Sequence, residues 1–360
     1  MGTIKRTFAN NLTGAGKFDA TQLDSNIPAN NIADASVTNV TTLPESLGQA
    51  IKSVAGSPPS QAVGDIWYNS VTGTLKNYGV VAAAWASGGN LGTARNDMAG
   101  AGTQDAGLAF GGNDGTDSSA TEEYNGSSWT AGGSLATARN GLGGAGTQTA
   151  GLAFGGDFPV TNVTEEYNGS SWSPGGNLGT GRYALGGVGI QTAALAFGGR
   201  AQPATTNVTE EYDGSTWTAG GNMARTGDAR IRLAGAGTQT AALGFGGLNV
   251  AETEEYDGTV WTAGGNLNTA RWSLAGAGIQ TAALAFGGAR PGDIAQTTTE
   301  KYDGSSWTNT AELATGRWEI GGAGTQPAGL GFGGFDGTSN LASTEEFTDT
   351  FNAVKTVTTS

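Results

Sequence analysis

The chain has 360 residues, a formal net charge of −14 and a pI near 4.3, and 64 of its residues are Gly. It has neither Cys nor His, which removes disulfides, thiolate metal sites, the commonest general base and the commonest metal ligand. So acidic a chain repels phosphate backbones and anionic bilayers, so neither a nucleic-acid partner nor membrane insertion is expected, and the longest apolar run, "GVVAAAW", is too short to span a bilayer.

Residues 1–42 are rich in Asn, Thr, Ala and Ser and read as an extended arm without a core of its own. The opening "MGTIKRTFANN" lacks the apolar stretch of a signal peptide, so folding in a cytoplasm or export without a standard signal is expected. Over 43–55, Leu43, Leu47, Ala50, Ile51 and Val54 are spaced as one helical stripe. Thr42 suits the cap, Pro44 and Glu45 the first turn and Lys52 the last, and Gly56 with Pro58 stops the helix. Leu43, Leu47, Ile51 and Val54 are the expected anchoring residues, set against a partner or against the rest of the chain. Asp65–Asn69 and Thr74–Tyr78 then read as a hairpin with Gly73 in the turn.

From here the chain repeats. Trp recurs at Trp85, Trp129, Trp172, Trp217, Trp261 and Trp307, at intervals of 44, 43, 45, 44 and 46. "FGG" begins at Phe110, Phe154, Phe197, Phe245, Phe286 and Phe332, and Arg95, Arg139, Arg182, Arg230, Arg271 and Arg317 each precede a Gly/Ala-rich stretch. Each copy offers four short strands. "GGAGTQTAGLAFGG" supplies two, "VTEEY" the third and "SWTAGG" the fourth, the last two joined by Asn-Gly or Asp-Gly, a strong hairpin signal. A four-stranded unit of this length is a propeller blade. Small first strands let backbones crowd an axis, and the repeated Trp and Phe fill the wedges. Six complete copies are favoured, with a seventh open if the hairpin and its Tyr78–Trp85 pair build another. The tail "TEEFTDTF" (344–351) matches a third and fourth strand.

The Gly pair, the Tyr, the Trp five residues on and the Arg about ten residues further resemble Kelch repeats over about three quarters of the chain. The resemblance implies an all-β Kelch-like β-propeller. It departs from the usual pattern where "TEEYDG" replaces a Tyr-Asp-Pro and in its bare first strands. The wording is similar to propellers in virion proteins of marine phages, and "GDIWYN…GTLKNY" resembles a hairpin ahead of receptor-binding parts in phage tail fibres. The expected organisation is an anchoring arm over 1–60, a connector over 61–84 and a propeller over 85–360.

No enzymatic site is expected. A Kelch-type copper oxidase needs His ligands, and no G-x-S-x-G elbow or phosphate loop appears. The pairs Glu122–Glu123, Glu165–Glu166, Glu210–Glu211 and Glu254–Glu255 are adjacent on strands and so point to opposite faces. Their recurrence suits an architectural role with the repeated Arg. No cofactor or metal is expected; "NDGTDSS", with Asp114 and Asp117, lacks a full calcium ligand set and reads as a solvated turn.

The copies vary on one side only. "TQT"-type and "YNGSSW"-type turns hardly change, while "NDGTDSSA", "DFPVTNV", "RAQPATTNV", "LNVAE", "ARPGDIAQTT" and "FDGTSNLAS" do. Strand parity puts the two sets on opposite faces. After each repeated Arg stand Asn96, Asn140, Tyr183, Ile231, Trp272 and Trp318. Asn96, Asn140, Tyr183, Trp272 and Trp318, with Asp114, Phe158 and Phe335 in the loops, are the candidate binding residues. Aromatic rings beside polar side chains suit sugars, although the rings of Tyr183, Trp272 and Trp318 could equally close the funnel. Two functions follow. One is a virion appendage, assembled in a host cytoplasm, that recognises a host surface glycan or protein while residues 1–84 hold other virion proteins. The other is a capsid or neck decoration that stabilises the particle. Self-association is left open.

Overall fold

The computed structural model describes residues 51–356, apart from 55–56, 58–59, 64, 70, 158, 225–229 and 249. Every regular element among them is a strand. The chain divides into two units, Ala83–Asp349 and the segments that flank it on either side.

The flanking unit is one four-stranded sheet. β1 (Ile51–Val54) runs parallel to β2 (Ile66–Asn69), which forms a hairpin with β3 (Thr74–Val81). Asn69 accepts the amides of Val71 and Thr72 at 3.0 Å, and Gly73 takes a positive φ of 65°, so the turn follows from its residue types. The strand Phe351–Thr356 pairs antiparallel with β3. Trp67 and Leu75 are buried in this sheet.

Two expectations are corrected here. Of the short helix expected over 43–55, only Ile51–Val54 fall among the described residues, and there the expectation fails. Ile51–Val54 form a strand, because a parallel partner satisfies their backbone and β-branched residues suit it; Leu43 and Leu47 lie outside the described residues. The tail does not supply a fourth propeller strand either. Phe351–Thr356 pairs with β3, so the propeller ends at Asp349 rather than at 360.

In the second unit lie six four-stranded antiparallel sheets among the described residues. β4 (Ala84–Ser87) is followed by the first sheet, β5 (Ala99–Gly102), β6 (Gly107–Phe110), β7 (Thr121–Tyr124) and β8 (Trp129–Ala131). Four sheets of the same order follow, at 143–174, 186–219, 234–263 and 275–309. The sixth holds Gly321–Thr325, Ala328–Phe332 and Thr344–Thr348, and takes β4 as its outer strand. The two ends of the unit are thus hydrogen-bonded in one sheet. Each first strand neighbours the next, and the sixth neighbours the first, closing the ring.

The small first strands are a packing requirement. A Cβ on Gly187 would stand 2.7 Å from the Gly144 carbonyl oxygen of the neighbouring first strand, and one on Gly144 would stand 2.9 Å from Ala99 Cβ of the first strand before it. Aromatic rings fill the wedges further out. Phe110 meets Trp172 of the next sheet at 5.0 Å between centroids, and this contact recurs round the ring, as far as Phe286 with Trp85. Burying each ring contributes about 1.5–3 kcal/mol, which offsets the entropy of ordering so many glycines.

Polar contacts fix the angle between sheets. Trp172 Nε1 donates to Thr121 Oγ1 at 2.9 Å, and Tyr167 Oη donates to Glu123 Oε1 at 2.6 Å. Gln148 of the "TQT" turn donates to the carbonyls of Gly107 and Tyr124, at 3.0 and 2.5 Å. Each is a bond from one sheet to its predecessor. The near-constant turns are therefore staples between sheets, as Gln191, Gln239, Gln280, Gln326 and Gln104 repeat.

Candidate functional site

The repeated charges are consumed inside the sheets. Arg139 lies 2.9 Å from Glu165 and donates to the carbonyls of Gly155 and Val163. The same pair recurs as Arg95–Glu122, Arg182–Glu210, Arg230–Glu254, Arg271–Glu300 and Arg317–Glu345, all buried. The second oxygen of the glutamate takes a loop amide, as Glu165 takes Ala136 N at 2.8 Å. The following glutamate turns to the opposite side of the strand and accepts the next sheet's tyrosine. Burial, then the bond to Glu123, pushes the Tyr167 hydroxyl up to about 12, so it stays a neutral donor. The adjacent carboxylates thus face away from each other as architecture, and none faces a cleft with its neighbour.

The variable face is built differently. At each inter-sheet crossing the residue after the repeated Arg bonds to the residue after the Gly pair. Asn96 exchanges two bonds with Asn113, Tyr183 with Arg200, Trp272 with Ala289 and Trp318 with Phe335; Asp157 N donates to Asn140 O and Leu248 N to Ile231 O. The next residue takes a left-handed backbone: Asp97, Gly141, Ala184, Arg232, Ser273 and Glu319, with φ between 50° and 60°. Five of these six are not glycine, and such strain marks a structurally enforced position. The enforcement is visible. Each of the six amides donates to the carbonyl of its counterpart on the preceding sheet, from Ala184 N to Gly141 O at 2.7 Å to Gly141 N to Asp97 O at 3.0 Å. The six bonds form a closed ring around the axis.

Charged side chains meet at this ring. Arg232 lies 3.2 Å from Glu319, which also accepts Asn96 Nδ2 at 3.0 Å. Burial, and then the charge of Glu319, pushes the Asp97 carboxyl up to about 7, against the pull of Arg232. Burial likewise raises Glu319. Below the ring, the axial channel encloses about 110 Å³ and is lined by the Gly, Ala and Val of the first strands. That is well short of the roughly 300–1,000 Å³ of a small-molecule pocket, so the ligand-sized surface is the loops.

The candidate residues separate on this face. Trp272 and Trp318 are only 5% and 8% exposed. They pack with Ala289, and Trp318 meets Phe335 edge-on at 5.1 Å. Neither Trp presents a broad ring to solvent; this is the funnel-closing arrangement. Tyr183 is half-buried beside Arg200. Asn140 Nδ2 donates to Asp117 at 2.6 Å. Asp114 is exposed in its turn, where Thr116 bonds to it, and no group of three or more acidic side chains that could hold a metal occurs among the described residues. Phe158 lies outside the described residues. Sequence reasoning passed over Asp97, Arg200, Arg232 and Glu319. The signal was the column after the variable residue, where Asp, Gly, Ala, Arg, Ser and Glu alternate and the single Gly hinted at a positive φ.

Both ends of the unit lie on the other face. Ala84 stands opposite Thr348, and Asp349 N donates to Pro327 O of the constant turn.

No family model matches the chain, and no curated protein matches it. Among solved structures, that of YjhT is similar with a TM-score of 0.62 at 14% identity, over 73% of this chain and 99% of that one. At that identity the likeness concerns the fold, a multi-bladed β-propeller.

Proposed function

We propose that the chain is a phage virion appendage, a tail fibre or similar part, that recognises a host surface glycan or protein through the variable face of its propeller. One observation carries this reading. Near-constant turns are explained as staples between sheets, whereas the loops 113–120, 200–208 and 289–298 differ in length and composition without stapling the sheets in that way. Variation confined to one face is the mark of a recognition surface on a rigid scaffold. The wording of the repeats, which resembles virion propellers, supports the particle context. Both chain connections of the propeller sit at the constant-turn end, which leaves the loops clear of them. Because Trp272 and Trp318 are buried, contact falls to the loops and Tyr183, and the two Trp shape the surface from beneath.

The test replaces 201–204 and 291–293 by Gly-Ser turns in the phage. Particles should assemble normally and lose attachment to host cells. Normal attachment with both loops replaced, or loss of the protein from the particle, would favour the decoration role instead.

A further inference from the structure

The chain carries 17 Lys and Arg against 31 Asp and Glu. Among the described residues of the propeller unit, six Arg are buried against Glu, and Lys301 is paired with Asp349. Three further cations are Arg200, Arg232 and Arg290, of which only Arg232 is ion-paired among the described residues, with Glu319. They fall on the third, fourth and fifth sheets, consecutive round the ring, and all on the variable face. Backbone contacts connect them. Arg200 exchanges bonds of 2.8 and 3.1 Å with Tyr183; Arg232 N donates to Ala184 O; Ser273 N donates to Arg232 O; and Trp272 exchanges bonds with Ala289, next to Arg290.

Arg200 and Arg290 are under-used. Four of the six buried architectural Arg, Arg95, Arg139, Arg182 and Arg271, leave an Nε unpaired too, but their terminal nitrogens are satisfied. Among the described residues, Arg200 has a buried Nε without an acceptor and no side-chain partner at its other nitrogens. Arg290 is exposed and has no ion pair among them. Arg232 is 41% exposed and touches Glu319. Most acids of the face lie on other sheets, Asp97, Asp114 and Asp117 on the first, Asp157 on the second and Asp336 on the sixth, while Glu319 of the sixth reaches Arg232 and Glu312 accepts a bond from Thr297. Asp293 shares a hairpin with Arg290, and Glu252 is already engaged.

We propose that the Tyr183–Arg200 pair, with Arg232 and Arg290 beside it, is a subsite for a carboxylated or sulfated sugar of a surface glycan. The proposal rests on the reading of this face as a recognition surface. Tyr183 and Arg200 are directly opposite in an antiparallel bridge, so their side chains share one side of the sheet. A half-buried ring can stack on a sugar's C–H face while the guanidinium forks onto the carboxylate or sulfate. Asp114 on the first sheet and Asp336 on the sixth repel the anion and favour this sector, while Glu319 is taken up by Arg232. A polyphosphate such as nucleic acid is disfavoured by the net charge of −14.

The experiment titrates the full chain with hexagalacturonate, its methyl ester, a chondroitin sulfate hexasaccharide, maltohexaose and hexaglutamate. At least one of the two acidic oligosaccharides should bind, and added salt should weaken it. R200Q, R290Q and Y183A should each lower that affinity by about tenfold, the worth of one charge-assisted contact, with unchanged melting temperatures. The methyl ester, maltohexaose and hexaglutamate should bind about tenfold or more weakly. Equal binding of acid and ester, undiminished binding by R200Q, preference for hexaglutamate, or no binding of either acidic oligosaccharide would overturn the subsite. The recognition reading is judged separately by the loop-replaced particles. Those particles losing attachment while R200Q particles attach normally would remove the subsite alone.

Discussion

The Lys301 ammonium lies 2.8 Å from Oδ1 of Asp349 and 2.9 Å from Oδ2, at the one wedge of the ring where no tyrosine hydroxyl meets a glutamate. In the other five, Tyr124, Tyr167, Tyr212, Tyr256 and Tyr302 donate to Glu346, Glu123, Glu166, Glu211 and Glu255. Where the fifth sheet reads "TEKY", the sixth reads "TEEF". The acceptor and the donor are lost together. Phe347 is fully buried without a hydroxyl, and Lys301 is satisfied by Asp349 instead. Phe347→Tyr alone, or Lys301→Glu alone, should therefore destabilise the fold. The double variant should recover about 0.5–2 kcal/mol relative to the sum of the singles, read from urea unfolding of all four proteins. Simple additivity would show that the two positions are not coupled.

Arg271 and Glu300 are both inaccessible to solvent. Burial lowers the Arg271 guanidinium to about 10, so it remains charged at neutral pH. Arg271→Ala would strand the Glu300 carboxylate and should cost about 3–5 kcal/mol. Replacing both by apolar residues of similar volume should cost much less. A single-variant loss below ~1 kcal/mol in chemical denaturation would contradict the structural role of the pair.

Trp217 bridges two sheets. Its ring meets Phe154 at 5.0 Å and its Nε1 donates to Thr164 at 2.9 Å. Trp217→Ala should cost about 3–5 kcal/mol. Trp217→Phe, which keeps a ring but abandons Thr164, should cost about 1 kcal/mol from the lost bond, plus a packing penalty. Calorimetric melts of the two variants separate packing from hydrogen bonding.

Asp97 gives the fold a pH dependence of definite sign. Its carboxyl is pushed up to about 7 by burial and by Glu319, against 3.8 in the unfolded chain. The unfolded state therefore binds fewer protons between these values, and stability falls as pH rises from about 4 to about 7. Asp97→Asn should flatten this slope and raise the melting temperature at pH 8 more than at pH 5. An unchanged slope in the variant would assign the dependence to other groups.

The repeat, the four strands per copy and the need for small first strands were legible because each copy meets the same local demands: alternation, hairpin turns and close approach at an axis. The opposite facing of Glu122 and Glu123 was legible for the same reason, since strand parity needs no partner. Partners were another matter. That Glu122 serves Arg95 within its sheet while Glu123 serves Tyr167 of the next depends on how neighbouring sheets stack. That Trp272 and Trp318 are buried depends on loops folding back over them.

The sequence by itself determined the architecture, because a period of about 44 residues with fixed small, aromatic and charged positions admits one way of burying six like faces together. Tertiary structure alone decided the ends and the face. Ile51–Val54 carries a helical stripe yet becomes a strand, since a parallel partner satisfies its backbone. Ala84–Ser87 completes a sheet begun by Thr344–Thr348, a pairing between segments more than two hundred residues apart. The left-handed residues of the ring, from Asp97 to Glu319, share no side-chain type. Their conformation is imposed by six backbone bonds that exist only once the circle has closed.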